Sequence, residues 1–176
     1  MKAFEIILLL AFFGGLAALF MVNLKRWNKL QKTKDDGFIK YSAIYYGKLK
    51  HIEGLPITSG VLIDFFYGNK KLTFKKDEQE IFLDCDKIIS MDVVLGKDVK
   101  SNAATGAVAG KYLLGGISGA AIGAMLATTF YFVILYKKDS ENKTIILDST
   151  GSDLPFKKIF NDFKSTHHTE TQKIEL

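Results

Sequence analysis

Few side chains in this 176-residue chain are placed to do chemistry. A nucleophilic thiol needs a base or a cation beside it to lower its pKa. The single cysteine, Cys85, stands between Asp84 and Asp86, whose charges would raise it. Of the three histidines, His167 and His168 are adjacent near the C-terminus and His51 stands alone. No Cys/His set has the spacing of metal ligands, so the sequence points to no metal. The run Gly106-Ala107-Val108-Ala109-Gly110-Lys111-Tyr112 imitates a phosphate-binding loop. That loop needs four residues between its glycines and Ser or Thr after the Lys, to wrap the phosphates and hold magnesium. Three residues and a Tyr stand here instead. The expectation is a protein that is not an enzyme and carries no cofactor.

The residues with a physical message are glycines and cations. Gly115, Gly119 and Gly123 are four apart, and Gly106 and Gly110 repeat that spacing. Residues four apart share one face of a helix, so these positions form a groove without side chains where a second helix can approach closely. Self-association into a homo-oligomer, or contact with a bilayer, is the expectation for them. Lys25, Arg26, Trp27 and Lys29 directly follow an apolar run, as residues of a membrane interface would.

That run is Ile6 to Val22, with no polar side chain. Residues 3–24 would make about 33 Å of helix, enough to span a bilayer. The basic cluster after it predicts a retained single-pass anchor in the inner (plasma) membrane, N-terminus out and the remainder cytoplasmic. Residues 25–34 hold five basic and no acidic residues, against a net charge of +5 for the chain. The excess therefore fits attraction to anionic headgroups, and no nucleic-acid partner is expected. The composition, 48% apolar with one Cys and two Pro, excludes a disordered chain, a collagen and a disulfide scaffold.

The elements that must position these residues follow from periodicity. Residues 25–42 read as a basic juxtamembrane linker, closed by Asp35-Asp36-Gly37. Strands are predicted over 43–53, 60–67, 71–75, 80–84, 88–95, 130–137 and 143–148. Gly68-Asn69 suits a hairpin turn. In 71–75, Leu72 and Phe74 should point inward and Lys71, Thr73 and Lys75 outward. Residues 103–127 are a glycine-rich helical insert, changing to a β-branched and aromatic strand near 127–129. Ser152-Asp153 can cap a final helix with Pro155 in its first turn, and Phe156, Ile159, Phe160 and Phe163 give it one apolar face. The tail from Thr166, residues 166–176, reads as disordered.

Seven strands and a closing helix resemble the pleckstrin-homology-like barrel. More specifically, the chain resembles bacterial membrane-anchored proteins with a glycine zipper inserted into such a domain. The resemblance rests on His51-Ile52-Glu53-Gly54-Leu55-Pro56-Ile57, Asp86-Lys87-Ile88-Ile89-Ser90-Met91, the glycine series at 106–123, Phe132-Val133-Ile134-Leu135-Tyr136 and the last helix, over residues 43–165. It implies an α+β fold: an N-terminal transmembrane helix, then an antiparallel barrel capped by a C-terminal helix. It also implies a module that binds lipids, peptides or a protein partner. In phosphoinositide-binding members, cations near the first two strands hold the phosphates; Gly54–Ser59 has none here. Two functions are open: a membrane-anchored binding or scaffold module, or a membrane-active protein whose zipper helices insert and change permeability.

Overall fold

The structure, a computed structural model, describes residues 2–68, 70–98 and 126–167, with side chains from Phe12 to Thr166. It is α+β. A helix α1 (Lys2–Tyr41) leads into strands β1 (Ala43–Glu53), β2 (Leu62–Gly68), β3 (Lys71–Lys76) and β4 (Gln79–Asp84). A 3-10 turn, Cys85–Lys87, connects to β5 (Ile88–Leu95). Then come β6 (Phe130–Lys138), β7 (Glu141–Asp148) and a closing helix α2 (Phe156–His167). The strands form one antiparallel sheet in the order β4-β3-β2-β1-β7-β6-β5.

The sheet curls round its core. Strands β2 and β6 lie three places apart, about 14 Å on a flat sheet. Yet the rings of Phe65 on β2 and Phe132 on β6 meet edge-on with centroids 5.6 Å apart. The bend is made by β1, whose Ala43–Lys50 pairs with β2 and whose Lys50–Glu53 pairs with β7, with an irregularity in each ladder. Every strand supplies the enclosed cluster, including Leu49, Phe65, Phe74, Leu83, Met91, Phe132 and Leu147. Alternation puts these residues on one face, which is why the strands are legible from their period of two. The expected helix α2 covers this core. Its Ile159 and Phe163 are buried, each worth about 1.5–3 kcal/mol in burial. Phe156 and Phe160 lie against Phe132 at 5.2 and 6.0 Å. Ser152 accepts the Leu154 N–H, and the Pro155 carbonyl, just before the helix, accepts the N–H of Ile159.

In the segment 25–42, expected to be a linker, residues 25–41 form the C-terminal part of α1. Asp35-Asp36-Gly37 does not end the helix, because tertiary packing overrides its low propensity. Gly37 faces the sheet, where a Cβ would stand 2.0 Å from the ring of Phe66. The next turn sets Tyr41 on Phe66 at 4.9 Å between ring centroids. The helix ends instead at Ser42, whose φ of 48° is left-handed and turns the chain into β1. Under α1, Phe66 and Thr73 are buried on the outer face of the sheet. Thr73 does point away from the core as expected, but it is buried there beside Phe66, its cross-strand partner.

A Lys–Tyr–Glu contact closes the seat: Lys40 and the Tyr41 hydroxyl both donate to the Glu80 carboxylate, the latter at 2.7 Å. These bonds hold the Glu80 carboxyl below its ordinary range.

The expected insert lies between neighbouring strands β5 and β6. Gly106, Gly110, Gly115, Gly119 and Gly123 fall outside the described residues, as do Asn69 and residues 168–176 of the tail. The described chain on either side of residues 99–125 is tied together. Gly96 N–H donates to Thr129 O at 2.9 Å, and Lys97 N–H donates to Ala127 O at 3.0 Å. A Cβ at Gly96 would stand 2.0 Å from the Leu126 carbonyl. Leu126 N–H in turn donates to the Tyr131 hydroxyl at 2.8 Å.

Replacing Gly37 by Leu forces a side chain into the Phe66 ring and should cost about 1–3 kcal/mol in urea denaturation. The same change at Gly14, with nothing within 4 Å, should leave the domain's transition where it is. Glu80 has a depressed carboxyl pKa, so its contribution is complete above the ordinary carboxylate range and is lost as pH falls through the depressed value. Amide exchange at the end of α1 should therefore accelerate in acid, and Glu80→Gln should remove most of that pH dependence.

Candidate functional site

Helix α1 changes character along its length. From Phe12 to Leu30 every residue is exposed; beyond that, Gln31, Thr33, Lys34, Gly37, Phe38 and Tyr41 turn toward the sheet. These fall at helical spacing, one face over three turns. The exposed part contains Phe12, Phe13, Leu16, Leu19, Phe20, Met21, Val22 and Leu24, distributed round the whole circumference. A helix that is apolar on all sides has no covered face in water. Among the described residues no helix is long and apolar enough to cross a membrane. The described apolar run, Phe12 to Leu24, is about 20 Å long, and the side chains that precede it within the expected anchor at 3–24 lie outside the described residues.

The four expected interface residues lie where this run meets the domain, but not on one side. Arg26 and Lys29 share one side of α1 with Leu30 and Thr33. They line a groove of about 510 Å³, whose other wall is Leu62 and Asp64 of β2, Lys75 and Lys76 of β3, and Asp77 of the following turn. Trp27 lies on the other side, in a groove of about 560 Å³ formed with Lys34, Phe38, Tyr45, Gly47 and the 151–155 segment. Lys25 lines neither groove. Sequence reasoning named the cations on α1 but missed Lys75 and Leu62. Only the fold brings those strand residues beside the helix.

In the first groove, Lys48 pairs with Asp64 at 3.2 Å and Lys76 with Asp77 at 2.9 Å. Arg26, Lys29 and Lys75 line the same groove; among the described residues Arg26 and Lys29 form no ion pair, and Lys75 lies opposite Glu80 on β4, whose carboxyl its charge helps to hold down.

A third cavity, about 390 Å³, opens between β4 and the β6–β7 turn. Leu55, Phe74, Leu83 and Ile145 supply apolar walls, and Lys87, Lys137 and Lys138 stand exposed at its edge. The loop 54–61 forms one side. His51 holds this loop: its Nε2 accepts the Leu55 N–H at 3.2 Å, and Nδ1 faces the Thr58 carbonyl at 3.3 Å. The accepting Nε2 places the proton on Nδ1, where it donates to Thr58. His51 is 2% exposed, so it is a structural tie and not a surface group. Gln79 Nε2 donates to Pro56 O at 3.1 Å and links the loop to β4.

Cys85 is buried in the 3-10 turn, where Sγ donates weakly to the Gly68 carbonyl at 3.7 Å. Burial, then Asp86 and Asp84, push its thiol up to about 12. It stays protonated and unreactive at neutral pH. Among the described residues no group of three or more His, Cys, Asp or Glu is placed to hold a metal ion.

No protein-family model matches the chain, and neither does a curated protein or a solved structure.

His51→Ala leaves the Leu55 N–H and the Thr58 carbonyl without their side-chain partner. The expected loss is about 1–3 kcal/mol in urea denaturation. Amide exchange should quicken first at Leu55; unchanged exchange there would refute the tie.

Proposed function

We propose that the chain is a membrane-anchored, non-enzymatic binding or scaffold module. In this reading residues 3–24 span the inner (plasma) membrane, N-terminus out. The curled sheet with α2 is a pleckstrin-homology-like domain on the cytoplasmic side. The glycine-rich insert serves self-association or membrane contact. The single observation that carries the reading is the apolar surface of α1. Residues Phe12 to Leu24 are exposed round the helix, and Lys25, Arg26 and Lys29 follow at once. A bilayer covers such a surface without a protein partner and leaves the cations at its headgroups.

The strand order supports the domain assignment. Four strands, β1 to β4, run as consecutive neighbours. The chain then crosses to β5 at the opposite edge and returns through β6 to β7, beside β1. The terminal helix lies on the core this curl encloses. The cavity beside the loop 54–61, with apolar walls and three cations at its edge, is the surface we assign to the bound partner.

Topology is testable with cysteines introduced at Ser140, in the β6–β7 turn, and Ser165, near the end of α2. Cys85 is buried and gives no background. The protein should stay in the membrane pellet after alkaline carbonate. An impermeant maleimide should label both positions only after the membrane is opened. Labelling of intact cells from outside would overturn the topology, and release by carbonate would overturn the anchor.

A further inference from the structure

We propose that the groove between α1 and strands β2–β3 binds the phosphate of an anionic phospholipid in the leaflet that α1 enters. This rests on the anchored reading above and adds a site, a ligand class and residues from outside the N-terminal helix.

The groove has unbalanced charge at a defined place. Five cations line it, against Asp64 and Asp77. Each of those carboxylates is already paired, with Lys48 and Lys76 respectively. Among the described residues Arg26 and Lys29 remain without an ion pair, and Lys75, whose charge acts on Glu80 across the β3–β4 ladder, forms no close salt bridge. Arg26 and Lys29 are three apart on a helix and so point the same way. Lys75 stands across the groove on β3, half-buried. Three cations converging from two elements suit a phosphate diester, whose oxygens accept charge-assisted hydrogen bonds from several directions.

The groove also has an apolar side. Leu30 lies in it, and Leu62 is 61% exposed in it. An exposed leucine beside cations suits an amphiphile, whose glycerol and first methylenes need cover next to the charged group. Position decides the source of the phosphate. Arg26 is two residues beyond Leu24, the last residue of the exposed apolar run. When that run is in the bilayer, the groove stands at headgroup depth. Basic pockets beside membrane helices bind anionic headgroups there.

The bound lipid would bridge α1 to the strands. It would thus fix the outer face of β2 and β3 against the membrane, and link leaflet composition to how firmly the domain sits on its helix.

The test uses the full-length protein in non-ionic detergent. Phosphatidylglycerol or phosphatidylcholine is added in equal amounts, and retained lipids are counted by native mass spectrometry. Phosphatidylglycerol should be retained preferentially. Lys75→Gln and, separately, Arg26→Gln should each weaken its binding about fivefold, the roughly 1 kcal/mol a single cation contributes at an anionic lipid surface. Lys164→Gln, on α2 away from the groove, should have no effect. Equal retention of the two lipids overturns the proposal. So does an equal effect of all three substitutions, which would signal diffuse charge. Displacement of the lipid by glycerol phosphate at the same concentration would assign the groove to a soluble phosphate and also overturn it. Carbonate extraction from membranes is run in parallel. Release there sinks the anchored reading alone, because the detergent assay reports on the groove independently.

Discussion

The contact between Gly37 and the ring of Phe66 is the constraint on which the rest depends. With no side chain at that position, the helix comes down onto the sheet, and a Cβ would stand 2.0 Å from the ring. From this one point the neighbouring contacts follow. Tyr41 packs on Phe66, its hydroxyl reaches Glu80, and Ser42 turns left-handed to begin β1. On the N-terminal side, the same seat lays Thr33, Leu30, Lys29 and Arg26 along β2 and β3. The helix thereby borders the domain back to Arg26 and stands clear of it before that.

The interior imposes a second condition of the same kind. Phe65 and Phe132 can touch only if the sheet bends sharply between β2 and β6, and β1 carries that bend by changing partner near Lys50. A bent sheet has a concave face that α2 can cover and a convex face that is free. The convex face at Phe66 and Thr73 is what α1 occupies. Core and helix seat therefore lie on opposite faces of the same strands. Substitutions in β2 read out differently by parity: Phe65 serves the enclosed core and Phe66 the helix.

Much of this was legible in the sequence, for physical reasons that also mark where it stopped. Strands with one face in the core alternate, and β1 and β5 have the bounds their alternation and turns predict, Ala43–Glu53 and Ile88–Leu95. Helix α2 shows its i, i+3, i+4, i+7 face because one side meets the core and the other meets water. What sequence could not show is the second layer on the convex face. Thr73 alternates as an outward residue, and it is outward, yet it is buried, its hydroxyl without a hydrogen-bond partner among the described residues. Asp35-Asp36-Gly37 carries local turn signals, and the reason it stays helical is a ring 29 residues away in the chain. Lys75 looks like any solvated strand lysine until the fold sets Arg26 and Lys29 opposite it. His51 gave no signal beyond being the single histidine inside the domain, because its two backbone partners belong to a loop whose path only the fold defines.

The helical state of residues 25–41 changes what an anchored domain could do. A flexible linker over residues 25–42 would leave the domain roughly 23 Å from its anchor on average and free to rotate. It could present any surface to the bilayer. A continuous helix seated at Gly37 allows one orientation. Leu24 then lies about 20 Å along the axis from Gly37. Leu62 and the β3–β4 turn share a groove with the first cations, and α2 lies on the opposite face of the strands. The chain entering and leaving residues 99–125 is tied at Gly96–Lys97 and Ala127–Thr129, so both points have a fixed place relative to the sheet. Under the anchored reading proposed above, the sequence of α1, more than that of the insert, would set which surfaces reach the membrane.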